Sequence, residues 1–379
     1  MRKRIRKNKS SFVKFFCLAL VLGIFSHFGL NCKKKISRIQ TSDLPKIPIH
    51  AKLSQYGLFQ NQNSEILNPI AKGLKYSLAT PLFSDYTQKD RVIFLPDSKP
   101  MQYQEEDEFS MPVGTIISKT FSMPKDLRSP KQSLQRLETR LMIHQPDGWF
   151  GVSYIWKSDL SDAEISYEGK SIPISYVDKS GKAKQFVYSV PSRNQCGTCH
   201  HVFEEGVQTI VPIGIKARHL NRDYEFADAQ TGKLNQLEFF QSKQVLTGLP
   251  LWGIPRNVDF ADASQSLDAR ARSYLDSNCG HCHNPNAEAG INSKLILSNT
   301  PTDALSLGVC KTPGSAGKGG GGLKFDIVPK KPEESILLYR MQTTETGAMM
   351  PQLGRALVHE EAVALIREWI LQMDEKDCK

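Results

Sequence analysis

The chain has 379 residues, 40% hydrophobic and 23% charged, with a formal charge of +10, long enough for more than one domain with a proper core. Residues 1–35 hold ten Lys or Arg and no acid, and removing those ten from the 49 basic residues leaves 39 against 39 acidic ones. The body of the chain is therefore formally neutral, which excludes a global field for polyanions, and nucleic acid is not an expected partner.

In chain order, residues 1–31 read as an export signal. A basic start (MRKRIRKNK) precedes the apolar run Phe15–Phe25, too short for a comfortable membrane span. The run leads to FGLNC, and an apolar stretch ending at a cysteine resembles a bacterial lipoprotein signal, which would make Cys32 the lipidated residue and join the protein to a membrane. Gly29 and Asn31 depart from the usual Leu and small residue before that cysteine, so a cleaved soluble form and an uncleaved anchor stay open. Each of these places the folded part outside the cytoplasm, in the periplasm, where free thiols are uncommon. Residues 32–50 are polar with prolines at 45 and 48, as a tether would be.

Residues 51–190 carry strand and turn signals. ETRLMIH (138–144) and WFGVSYIW (149–156) flank the turn sequence QPDG, a second hairpin is expected at 178–190, and GTIISKTF (114–121) reads as a strand. After Pro191 helical patterns take over: 233–246, 266–278, and 359–373, where Ala362, Leu365, Ile366, Trp369, Ile370 and Met373 recur at helical spacing. The glycine-rich stretch 314–325 lacks the order of a phosphate-binding loop. The expected fold class is α+β: a mainly antiparallel β domain over 51–190, a segment 191–263, and an α-helical domain over 264–379.

The chemistry is concentrated in NQCGTCHH (194–201) and SNCGHCHN (277–284), each containing C-x-x-C-H. In covalent haem attachment the two thiols add to the haem vinyl groups, and the adjoining histidine binds the iron. One turn of helix sets both sulfurs on one porphyrin edge with the histidine beneath the metal. The expected cofactors are thus two haem c groups, on Cys196 and Cys199 with His200, and on Cys279 and Cys282 with His283. Zinc would have to pair motifs separated by 79 residues, outside ribbon spacing. A thioredoxin-like pair would need a βαβ setting that the neighbouring sequence does not suggest. His201 and His281 read as bystanders.

For the far side of the second iron, Met350 in GAMMPQLG (347–354) is the candidate, with Met349 behind it. No methionine lies between Met142 and Met341, so the first iron has no such partner in the segment after its motif. His219 is the nearest downstream candidate; Met111, Met123 or Met142 reaching over from the β domain, or an open five-coordinate iron, are the alternatives. Arg218, Arg222 and Tyr224 are candidates for contacting haem carboxylates, with a solvated polar loop the plainer reading. Cys310 and Cys378 are the even pair left over, and in an oxidising space a disulfide is the economical reading, two buried thiols the other.

The order helix, C-x-x-C-H, Met-Pro, final helix with Trp369 over 264–379 resembles the small helical class I cytochrome c domain. Across most of the mature chain, TPLFSDYTQKDR (80–91), MPVGTIISKTF, GWFGVSYIW, VPSRNQCGTCH, YLDSNCGHCHNP and MMPQLGR resemble a weakly characterised family of exported dihaem c-type cytochromes. The resemblance implies electron transfer between redox protein partners. The rival expectations are a peroxidase-like enzyme using an open first haem, and a binding module built on the β domain with accessory haems.

Overall fold

The computed structural model describes residues 44–60, 67–204, 206–226, 232–300 and 302–379; the signal, Cys32 and most of the tether lie outside them. Its largest element is a six-stranded antiparallel sheet whose strands follow one another in chain order. The strands are β1 (Gly73–Lys75), β2 (Gln88–Phe94), β3 (Ile116–Pro124), β4 (Leu134–Gln145), β5 (Gly148–Trp156) and β6 (Ala163–Ser166). The Pro146–Asp147 turn joins β4 to β5, with Gly148 at φ +119° where a side chain would be strained. A separate hairpin, β7 (Lys170–Val177) and β8 (Ala183–Val190), closes through Asp178, whose carboxylate accepts from the Ser180 and Lys182 amides.

Alternation along the strands gives the sheet two different faces. One carries Val92, Phe94, Ile116, Leu141, Ile143, Val152, Tyr154 and Trp156, and packs against Leu53, Leu58 and Phe59 from the chain before the sheet. On the other, the register sets three rows side by side: Ile93–Ile117–Met142–Gly151, Arg91–Lys119–Arg140–Ser153 and Lys89–Phe121–Glu138–Ile155. The Ile93 and Ile117 end of that face is covered by Ile215, Leu220, Leu237 and Phe240. Residues 191–263 therefore share a core with the sheet.

The helices are short: α1 (Arg193–His200), α2 (Ala217–Leu220), α3 (Gln236–Ser242), α4 (Leu267–Leu275), α5 (Glu288–Ser293), α6 (Ile336–Gln342) and α7 (Glu360–Gln372). None in the described residues is long and apolar enough to cross a membrane. Helix α4 does pack on α7, with the Trp369 indole donating to Asp268 at 2.8 Å.

That pair is not a helical domain, and here the structure corrects the expected fold class. Small antiparallel sheets dominate the described chain, its helices are short and scattered, and the α-helical cytochrome c-like domain expected over 264–379 is absent. The reason is visible between α5 and α6. Pro313, Gly314, Gly317, Gly319 to Gly322, Pro329 and Pro332 prevent a continuous helix. The apolar residues there, Leu297, Val309 and Ile327, reach the core from turns and isolated bridges instead. The Cys310–Cys378 disulfide, with Cα atoms 5.0 Å apart, ties the chain end to this region.

Candidate haem-binding site

The first motif occupies one eight-residue helix, α1, started by a capping box: the Gln195 amide donates to Ser192 Oγ, and the Ser192 amide to Gln195 Oε1 at 2.9 Å. Helical spacing places Cys196 and Cys199 one turn apart and His200 beside them. The His201 ring lies over Gly197, where a Cβ would come within 2.4 Å of it and push the ring aside. The second motif begins in a π-turn, Asp276–Gly280, continuing α4, and His283 closes back on the Cys279 carbonyl at 2.8 Å. Wide turns of this kind recur at functional sites.

Cys196, Cys199 and His200 open into a cleft that is partly continuous with solvent, about 1350 Å³ of empty space when its open part is included. Its walls come from three parts of the chain. The sheet contributes Ile117, Lys119, Phe121, Arg140 and Met142; the second motif's helix contributes Tyr274, Asn278 and His281; and the loop before α7 brings Met350, Pro351 and Leu353. Met350 thus faces the same space as the first motif. Its loop is held by Arg355, whose guanidinium donates to the carbonyls of Met350, Arg340, Thr343 and Leu357.

The histidines are prepared as neutral ligands. His200 Nδ1 donates to the Val211 carbonyl at 2.7 Å, which fixes the tautomer and leaves Nε2 for a metal. Burial pushes His200 down to about 4, so its imidazole is uncharged. Burial also lowers His283 to about 4; its Nδ1 is buried without a well-formed hydrogen bond, the Leu295 backbone giving looser support.

The two motifs meet. Cys199 Sγ, Cys282 Sγ and a His281 ring nitrogen all lie within 4.8 Å of one another, and Cys282 Sγ also points at the Thr198 carbonyl, 3.8 Å away. The adjacent Cys282 thiol and His281 bring the Cys199 thiol well below its usual range, whereas burial holds Cys196 up and lifts Cys279 to about 12. Sequence spacing argued against any pairing of the motifs, yet the fold supplies one. It joins only one cysteine of each motif, with His281, so a four-cysteine zinc site is not assembled.

His219 is not brought to the cavity. Its Nε2 donates to Asp276 Oδ2 at 3.0 Å and its Nδ1 lies 3.3 Å from Ser277 Oγ, so both ring nitrogens are engaged. Arg218 is spent on the same carboxylate, Arg222 on the Leu78 carbonyl, and neither Arg222 nor Tyr224 lines the cavity. Met111 and Met123 are buried in cores, whereas Met142, partly buried and packed against the core that holds Met111, also lines the cavity.

The cations on the sheet were not singled out from sequence. Arg91, Lys119 and Arg140 stand directly opposite one another on three neighbouring strands, an arrangement that repels. Glu138 neutralises Arg140 through a bidentate pair with contacts of 2.6 and 2.8 Å. The Lys119 ammonium lies 5.5 Å from the Phe121 ring centroid, and burial, with Arg91 and Arg140 beside it, lowers it to about 7 against the opposing pull of Glu138. Nε and Nη2 of Arg91 are buried without a partner. Such a row suits an anionic occupant.

These features fit covalent haem: thiols at helical spacing, a neutral histidine with one nitrogen free, an apolar wall and thioether sulfurs. Cys196, Cys199 and His200 would hold one group there; Cys279, Cys282 and His283 repeat the motif but do not line this cavity. Compared with family models, with curated proteins and with solved structures, the chain matches none.

Proposed function

We propose that this chain is an exported dihaem c-type cytochrome that passes electrons between redox protein partners. The observation that carries the reading is the first motif: one capped helix directs Cys196, Cys199 and a neutral His200, fixed through Val211, into a cleft walled by the sheet and by the 347–354 loop. Bound haem would supply one-electron exchange at its iron. The chain's own contribution is to exclude water with the sheet wall and the 347–354 loop, and to offer sulfur ligands that favour the reduced iron. Export, by the basic and apolar start of the chain and through Cys32 if it is lipidated, agrees with this chemistry, because covalent haem attachment takes place outside the cytoplasm.

The ferric electron paramagnetic resonance spectrum of the purified exported protein tests the carrier role. Two low-spin haems and no peroxide turnover support it. One high-spin haem with peroxide turnover would move the protein to the enzyme class.

A further inference from the structure

We infer that Met142 is the far-side iron ligand of the first haem. The inference rests on the dihaem reading above and settles what that reading leaves open. Three methionines line the cavity: Met142, Met341 and Met350. Met341 belongs to the C-terminal core on α6, and Met350 to the loop that follows the second motif. Met142 alone comes from the sheet.

Its surroundings match the first motif. Helix α1 packs against β5, the strand paired with β4, and β5 sets Gly151 directly opposite Met142. A Cβ at 151 would lie 3.2 Å from Met142 Sδ, so the glycine gives the thioether its room on the cavity side. In the row beside Met142, Lys119 lines the same cavity, Arg140 is paired with Glu138, and Ile117 and Phe121 add apolar wall. Met350 lines the same cavity from the 347–354 loop, and with Met142 on the first iron it is the thioether left for the second. A soft, neutral sulfur on each iron gives two six-coordinate, low-spin centres, the state a carrier needs.

Proton nuclear magnetic resonance of the ferrous full chain tests this without an activity. Side-chain protons of an iron-bound methionine shift far upfield, one set for each methionine-ligated haem. The wild type should show two sets; M142L, which keeps the volume of the side chain, should lose one, and M350L the other. M142H should keep the first haem low-spin with that set missing and its potential lowered. If M142L removes no set while two covalent haems are still counted by pyridine haemochrome, the assignment is overturned and the dihaem reading stands. Fewer than two covalent haems in the wild type would overturn both.

Discussion

Replacing Asp276 with alanine should cost about 3–5 kcal/mol of stability, the range for breaking a buried ion pair from one side. The Asp276 carboxylate opens the π-turn of the second motif and accepts from Arg218 Nε at 2.8 Å, Arg218 Nη2 at 3.2 Å, His219 Nε2 at 3.0 Å and Asn257 Nδ2 at 2.7 Å. The side chains of Asp276 and Arg218 are 2% and 5% exposed. Without the carboxylate, Arg218 keeps only Glu106, which is half exposed and a poor replacement. The loss would be a large part of the ~5–15 kcal/mol that holds a typical domain. The double variant D276A/R218M removes both charges and should recover most of it, since an apolar pair in such a place is often neutral. The pH dependence follows the same contacts. Burial alone would raise the Asp276 pKa, but His219 and Arg218 outweigh it and hold the carboxyl well below the usual range. Its contribution is complete above the unfolded value of about 3.9 and is lost only as pH falls through the lower folded value. Urea midpoints followed by far-ultraviolet circular dichroism from neutral pH into acid are the assay. A D276A cost below about 1 kcal/mol, or a double variant no more stable than D276A, would refute the reasoning.

In haem-free chain, the thiols of Cys199 and Cys282, within 4.8 Å of each other, should be joined by a mild thiol oxidant. Non-reducing peptide mapping then finds a Cys199–Cys282 cross-link, absent from the haem-loaded protein; cross-links confined to each motif would contradict the juxtaposition. Below pH 7, where the Lys119 ammonium is protonated, replacing Lys119 with Gln removes a cation from the row facing the first motif, and so should lower the first haem's potential, because positive charge favours the reduced iron. An optical redox titration with that potential unchanged would remove Lys119 from the haem's surroundings.

The motifs and strands were readable because each is local. The QPDG turn, the 116–124 strand and the α7 stripe announce themselves within a few residues of sequence. The helical domain expected at the C-terminus rested on its two end elements: α4 and α7 are real, but the Pro- and Gly-rich chain between them fills the core from turns and isolated bridges instead of further long helices. The cavity was hidden because its walls are non-local. Nothing near TPLFSDY (80–86) shows that the Phe83 amide will bond Asn278 beside Cys279 at 2.7 Å, or that the Asp85 carboxylate will hold the amides of Ala356 and Leu357. Arg91, Lys119 and Arg140 are 28 and 21 residues apart in the chain, and only antiparallel register sets them in one row. His219 illustrates the reverse error: a histidine downstream of a motif looks like a ligand until a buried carboxylate takes its ring.

The central claim, two covalent haems on this chain, is tested most directly by the mass of the purified exported protein and a peptide map of its cysteines. The account predicts two haem additions, one on Cys196 and Cys199 and one on Cys279 and Cys282, with none of these four thiols open to alkylation. An unmodified polypeptide mass after export, with the four motif thiols alkylated, would contradict it.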